Sequence, residues 1–117
     1  MAGKTITDLQ LDILKAMRRY YEEPERYVEE IKAVVRKRDQ LAKIILFGSY
    51  IKGDMKPDSD IDVLVITELA KNVDERVKLR MEVKRRIGEL TPFEIHIVTG
   101  AEYENWYRKF IDKYLEY

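Results

Sequence analysis

Two short apolar runs, Lys43-Ile44-Ile45-Leu46-Phe47 and Ile61-Asp62-Val63-Leu64-Val65-Ile66-Thr67, constrain the fold of this chain more than any other feature. Each is brief, rich in β-branched residues and bounded by turn formers, which is the pattern of a buried strand rather than a helix. The first stops at Gly48, and the loop after it carries Gly53, Pro57, Asp58 and Ser59. Phe93 to Val98 reads as a third strand, entered through Thr91-Pro92. The segment between strands one and two is short and non-helical, whereas a long helical pattern crosses from strand two to strand three. That spacing predicts a mixed β-sheet flanked by helices, an α/β (α+β) fold.

The helices follow from periodicity. Leu9, Ile13 and Met17, with Leu14 and Tyr21 beside them, predict a helix over 7–21 that starts at Thr7-Asp8. Pro24 suits a first helical turn, and Tyr27, Val28, Ile31, Val34 and Val35 continue a second helix to about Asp39. Asn72 caps a third, in which Val73, Val77, Met81, Ile87 and Leu90 fall on or near one face. Tyr103, Trp106, Tyr107 and Phe110 predict a last helix from Glu102 to about Tyr114. The expected order is α-α-β-β-α-β-α, with no internal repeat. It reads as one domain over 1–117, with a core of about 44–98, two helices before it and one after.

Composition narrows the function classes. The 22 basic and 22 acidic residues cancel, so the broad basic field of a nucleic-acid binder is missing and a polynucleotide substrate is not favoured. No apolar run is long enough for a membrane span, and Met1 to Gln10 lacks a secretory apolar stretch, so a soluble, cytoplasmic chain is expected. The absence of cysteine excludes disulfides, thiolate metal sites and cysteine nucleophiles, and one histidine argues against zinc.

The chemistry is concentrated between the first two strands. One strand ends in Gly48-Ser49 and the next opens with Asp60-Ile61-Asp62. Side chains two apart on a strand share a face, so Asp60 and Asp62 are expected to converge with Cα atoms about 6.7 Å apart. Two ionised carboxylates at that distance repel by about 2.5 kcal/mol at an effective dielectric of 20. A shared proton or a hard cation would offset this, and oxygen ligands favour magnesium, with manganese as the alternative. Gly48 permits close backbone approach, while Ser49 offers a hydroxyl and an amide to a phosphate if residues 50–52 begin a helical turn.

Gly48-Ser49, ten intervening residues and then Asp60-x-Asp62 resemble the signature of the polymerase β-like nucleotidyltransferase superfamily, in particular its minimal stand-alone members. Glu94, on the later strand, matches the family's third carboxylate, where many members carry aspartate. The resemblance covers about Ile44 to Val98. It implies a polymerase β palm-like fold and a two-metal transfer of a nucleoside monophosphate from a nucleoside triphosphate, ATP by expectation, to a hydroxyl. Asp60, Asp62 and Glu94 would be the catalytic and metal-holding residues for two Mg2+ ions, or Mn2+ in their place. Gly48 and Ser49 would seat the phosphates, with Lys52 and Lys56 beside them. Larger relatives recognise acceptors through an added domain, and after the core only Thr99 to Tyr117 remain here, so a partner chain or a homodimer neighbour is expected to complete the site. In the minimal family that partner is often a HEPN-domain protein, which implies an antitoxin-like role in which a HEPN ribonuclease is restrained, by attachment of AMP or, alternatively, by non-catalytic binding alone.

Simpler readings compete at several positions. Asp58-x-Asp60-x-Asp62 suggests a calcium loop, but Val63 and Leu69 stand where glycine and glutamate are needed. Gly48 to Gly53 has P-loop glycine spacing, yet Asp54 replaces the phosphate-binding lysine. His96 shares the expected face of Glu94, but a lone strand histidine is more often a satisfied, partly buried side chain. Tyr103, Trp106, Tyr107, Phe110 and Tyr114 could stack on a base, although such a stripe more often packs on a sheet.

Overall fold

The computed structural model describes residues 3–53 and 59–117. Helix α1 spans Ile6–Glu22 and α2 Pro24–Arg38; strand β1 is Lys43–Phe47, followed by the single turn α3, Ser49–Lys52. Strand β2 is Ile61–Ile66, a 3-10 turn covers Glu68–Lys71, α4 is Val73–Ile87 and β3 is Phe93–Val98. The chain closes with α5, Gly100–Asn105, a second 3-10 turn at Tyr107–Lys109, and β4, Tyr114–Glu116. The sheet order is β3-β2-β1-β4. β1 lies antiparallel to both neighbours, and β2 runs parallel to β3 across the α4 crossover, so the sheet is mixed as its connections require.

Alternation along the strands sorts the apolar residues onto two faces. Ile44, Leu46, Val63, Val65, Ile95 and Ile97 pack with Val28, Ile31 and Val35 of α2 and with Leu79, Val83 and Ile87 of α4. Each such side chain, fully buried, is worth about 1.5–3 kcal/mol, so this face carries most of the cohesion. Ile45, Leu64 and Val98 point the other way and, among the described residues, are covered by the smaller set Phe47, Ile66, Tyr103, Tyr107 and Ile111. The thinner cover leaves one end of that face accessible.

Three expectations change. Helix α1 begins earlier than Thr7, because Thr5 and Asp8 form a capping box in which each side chain accepts the other's backbone N–H. Its stripe seats on the body only near its C-terminal end: Tyr20 is buried and donates to the Ile87 carbonyl, while Leu9 and Ile13 stay exposed. In α4 the buried row is Leu79, Val83 and Ile87, whereas Val73, Val77 and Met81 are exposed. Those two rows are about 200° apart around the helix, and both are apolar, so periodicity alone did not choose between them. The expected C-terminal helix is also interrupted. Trp106 leaves helical geometry at φ −132°, and Tyr114–Glu116 pairs instead with β1, extended by the Tyr117 N–H donating to the Ile44 carbonyl. Covering an otherwise open strand edge outweighs a local helical stripe here. The other edge, β3, is met by Arg80 of α4, which donates to the Ile95 carbonyl.

Among the described residues, no helix is long and apolar enough to cross a membrane. Two outcomes test the packing. Gly88 closes α4 at φ +118°, and a Cβ there would lie 2.5 Å from the Tyr20 hydroxyl, so Gly88→Ala should lose about 1–3 kcal/mol in denaturant unfolding. Glu102 accepts the Thr99 backbone N–H and meets Arg76, which holds its ionisation below the ordinary 4.5. Its contribution is therefore present above that value and lost as pH falls through the lowered one. Melting temperatures should decline below about pH 4.5 with a shallower decline in Glu102→Gln.

Candidate active site

The register of the sheet places the chemistry-bearing residues. Phe47 is opposite Asp62 in the β1/β2 ladder, and Asp62 is beside Glu94 in the β2/β3 ladder. Tyr114 faces Phe47 from β4, so Tyr114, Phe47, Asp62 and Glu94 form one row across the sheet. The next row on that face carries Leu64 and His96. All lie on the lightly covered face, at the end where β1 stops and β2 and β3 begin.

Gly48 is the hinge of this arrangement. It leaves β1 at φ +84°, a left-handed conformation natural to glycine. A Cβ built on it would stand 2.3 Å from the Asp62 Oδ2, so the Asp62 carboxylate occupies the notch that the missing side chain leaves. The chain then turns at once into α3, with the Lys52 N–H donating to the Gly48 carbonyl at 3.1 Å. Ser49 opens that turn and is half-buried, while Lys52 is exposed at its end. Residue 56, the second lysine singled out from sequence, lies outside the described residues.

Asp62, Glu94 and His96 each offer one donor atom within 4.8 Å of the others. His96 Nε2 is 3.7 Å from Asp62 Oδ1 and 3.7 Å from Glu94 Oε1. Asp62 and His96 side chains are each 24% exposed and Glu94 53%, so the group is reachable by solutes. The imidazole is held between the rings of Phe47 and Tyr107, at centroid distances of 5.9 and 5.7 Å. Two oxygens and a nitrogen in such proximity fit a divalent cation, since donors sharing one ion stand roughly 3 Å apart and a small adjustment would close the set.

Asp60 is not in this group. It is exposed and precedes β2, whose pairing starts with Ile61, so the alternation expected to align Asp60 with Asp62 has no ladder to hold it. His96 joins the group although the sequence favoured a packed strand histidine. The signal was present in Glu94-x-His96, the same two-residue spacing that was used for Asp60-x-Asp62. Of the C-terminal aromatics, Tyr103 and Tyr107 pack on the sheet, whereas Trp106 and Phe110 are exposed and meet each other in a tilted contact at 5.3 Å.

A concavity of about 870 Å3 opens on the same face toward the opposite end of the strands, lined by Arg38, Lys43, Ile66, Thr67 and Tyr103 among others. Neither Gly48 and Ser49 nor the Asp62 group lines it. Its size does not make it the seat of chemistry, because it gathers no comparable set of convergent donors; its charged residues are of both signs, with Glu104 and Arg108 already paired at 2.7 Å.

Comparison with known proteins matches residues 28–114 to the profile of the nucleotidyltransferase domain family. Protein adenylyltransferase MntA of Thermococcus cleftensis is 33% identical over 67 residues, which are 57% of this chain and 68% of that protein. A Methanocaldococcus jannaschii protein provisionally named a protein adenylyltransferase is 40% identical over 42 residues, 36% of this chain and 42% of its own length. The match thus spans less than half of that relative. Among solved structures, one provisionally called a nucleotidyltransferase superposes with a TM-score of 0.65 at 31% identity, covering 76% of this chain and 95% of that one.

The notch at Gly48 can be tested apart from any activity. Gly48→Ala combines a left-handed φ with the collision against Asp62, whereas Gly53→Ala, at φ +77° with open space around it, carries the conformational cost alone. Denaturant unfolding should show Gly48→Ala losing about 1–3 kcal/mol more than Gly53→Ala. Equal losses would mean that Asp62 is not seated against the glycine.

Proposed function

This chain belongs to the nucleotidyltransferase domain family, and from that premise we propose that a protein hydroxyl attacks the α-phosphorus of ATP in its site, forming a phosphodiester to AMP as the α–β anhydride bond breaks and pyrophosphate leaves. The observation that supports the reading is the adjacency of two half-sites: the turn bearing Ser49 leaves β1 at Gly48, whose missing side chain leaves the room that the Asp62 carboxylate occupies, so the residues proposed for phosphate and for cation adjoin. The protein acceptor is supported by the relatives' names, both of which are protein adenylyltransferases.

In this reading Ser49 and the amides of α3 bind the terminal phosphates, and Lys52, exposed at the end of the same turn, adds positive charge beside them. Lys56 is assigned to the same role from its place in the sequence, between Gly48-Ser49 and Asp60. Asp62 and Glu94 hold the divalent cation, with Asp60 contributing from its flanking position once nucleotide is bound. Mg2+ or Mn2+, in one or two copies, would supply neutralisation of phosphate charge and activation of the acceptor hydroxyl. Glu94, the most exposed of the three grouped side chains, is the residue we assign to accept the proton from that hydroxyl, its exposure supporting access by the acceptor. The positions of these groups are set before substrate arrives, because both carboxylates are on adjacent strands of one sheet. The acceptor is supplied by a second protein, and the family resemblance makes a HEPN-domain ribonuclease the partner proposed, with AMP attachment as its restraint.

The test is incubation of the full chain with α-labelled ATP, a divalent cation and its co-purifying proteins. Label should appear on a protein, vanish with a chelator and return with Mg2+ or Mn2+. Asp62→Asn should lower the transfer rate at least about 100-fold, since metal-held charge stabilisation is worth several kcal/mol. If wild type and Asp62→Asn are equally inactive with every nucleoside triphosphate and every partner fraction, the transferase reading fails.

A further inference from the structure

His96 is the chain's single histidine, and neither the family resemblance nor the proposed transfer needs it. Its placement is nonetheless specific. The parallel register sets it one row in from the Asp62–Glu94 pair, on the same face, and Nε2 is 3.7 Å from an oxygen of each carboxylate. That is longer than the 2.7–3.2 Å of a hydrogen bond, so the ring is not drawn onto either oxygen. The flanking rings of Phe47 and Tyr107 set its position instead, leaving Nε2 facing the space between the two carboxylates. Asp62, for its part, is fixed by the notch at Gly48. One donor atom from each of the three side chains thus lies within 4.8 Å of the other two.

We propose that His96 Nε2 is the third protein ligand of the cation held by Asp62 and Glu94, which makes this a site for a divalent transition ion such as Mn2+ in preference to Mg2+. The inference rests on the cation-dependent reading above and narrows the cation. Mg2+ is a hard ion that takes oxygen ligands and keeps several waters, whereas Mn2+ accepts a mixed set of carboxylates and imidazole. Replacing one oxygen donor by an aromatic nitrogen therefore costs Mg2+ more than Mn2+. The outlying position of Asp60 fits the same account, because in the free protein the imidazole stands in the group where a second aspartate was expected.

The experiment is isothermal titration of Mn2+ and, separately, Mg2+ into the tag-free full chain with an ATP analogue resistant to α–β cleavage. Wild type should take Mn2+ at least about tenfold more tightly than Mg2+. His96→Ala and His96→Asn should weaken Mn2+ binding by about 10- to 100-fold, the scale of losing one supporting group or more, while Mg2+ affinity moves by less than about threefold. Direct ligation has its own signature: Co2+ should produce a strongly shifted imidazole N–H proton resonance in wild type that neither variant shows, the single histidine making the assignment unambiguous. Circular dichroism and melting confirm that at least one variant is folded, and the comparison uses that one. Unchanged Mn2+ affinity in a folded His96 variant, or no shifted resonance in wild type, overturns the proposal while leaving the Asp62–Glu94 site and the transfer reading intact. If neither cation binds wild type, or if Asp62→Asn binds both as wild type does, the cation reading itself falls and this proposal with it.

Discussion

The antiparallel pairing of β1 with β2 is the constraint on which the rest depends. It sets Phe47 opposite Asp62, and it thereby brings the next backbone atom of the chain, the Cα of Gly48, against the Asp62 carboxylate. Any side chain at position 48 would occupy the space of that carboxylate. The glycine is thus required twice, by its φ of +84° and by the contact, and the two requirements arise from a single turn. A shift of register by one residue would move Asp62 to the opposite face, among the helices, and dissolve the site.

The helices explain why such a register is stable and why the site stays open. Two amphipathic helices, α2 and α4, bury the inward side chains of β1, β2 and β3, and Arg38 ties them together by meeting both Glu75 and Glu82. These partly exposed ion pairs add orientation more than energy. Among the described residues, the apolar cover of the other face comes from Phe47 and Ile66 of the sheet and from Tyr103, Tyr107 and Ile111 of the C-terminal segment, with Tyr107 on the side of the site. Asp62 and Glu94 stand side by side on neighbouring strands at the open end of that face, a pair of carboxylates that a divalent cation would join.

Much of the fold was legible because it is written in local terms. The strands at 43–47, 61–66 and 93–98 were visible as short β-branched runs between turn residues, and the mixed sheet followed from the connections alone. The C-terminal segment was not legible: Tyr103 to Tyr114 has helical spacing, yet β1 needed an edge partner, and that need is nonlocal. Helix α4 has two apolar rows, and only the position of the sheet selects between them.

The candidate site divides along the same line. By itself the sequence determined where the strands run, and hence that Gly48-Ser49 follows the end of β1 and Asp62 lies at the start of β2, because β-branched runs and turn chemistry are properties of a single stretch of backbone; Glu94 entered through the family resemblance. Tertiary structure decided that His96 stands beside Asp62 and Glu94 and that Asp60 falls before the β2 ladder begins. The physical reason is that side-chain alternation holds only where a ladder holds the backbone: β2 pairs from Ile61 onward, so Asp60 escapes it, while His96 lies well inside β3 and is held by aromatic neighbours brought from β1 and from the C-terminal turn.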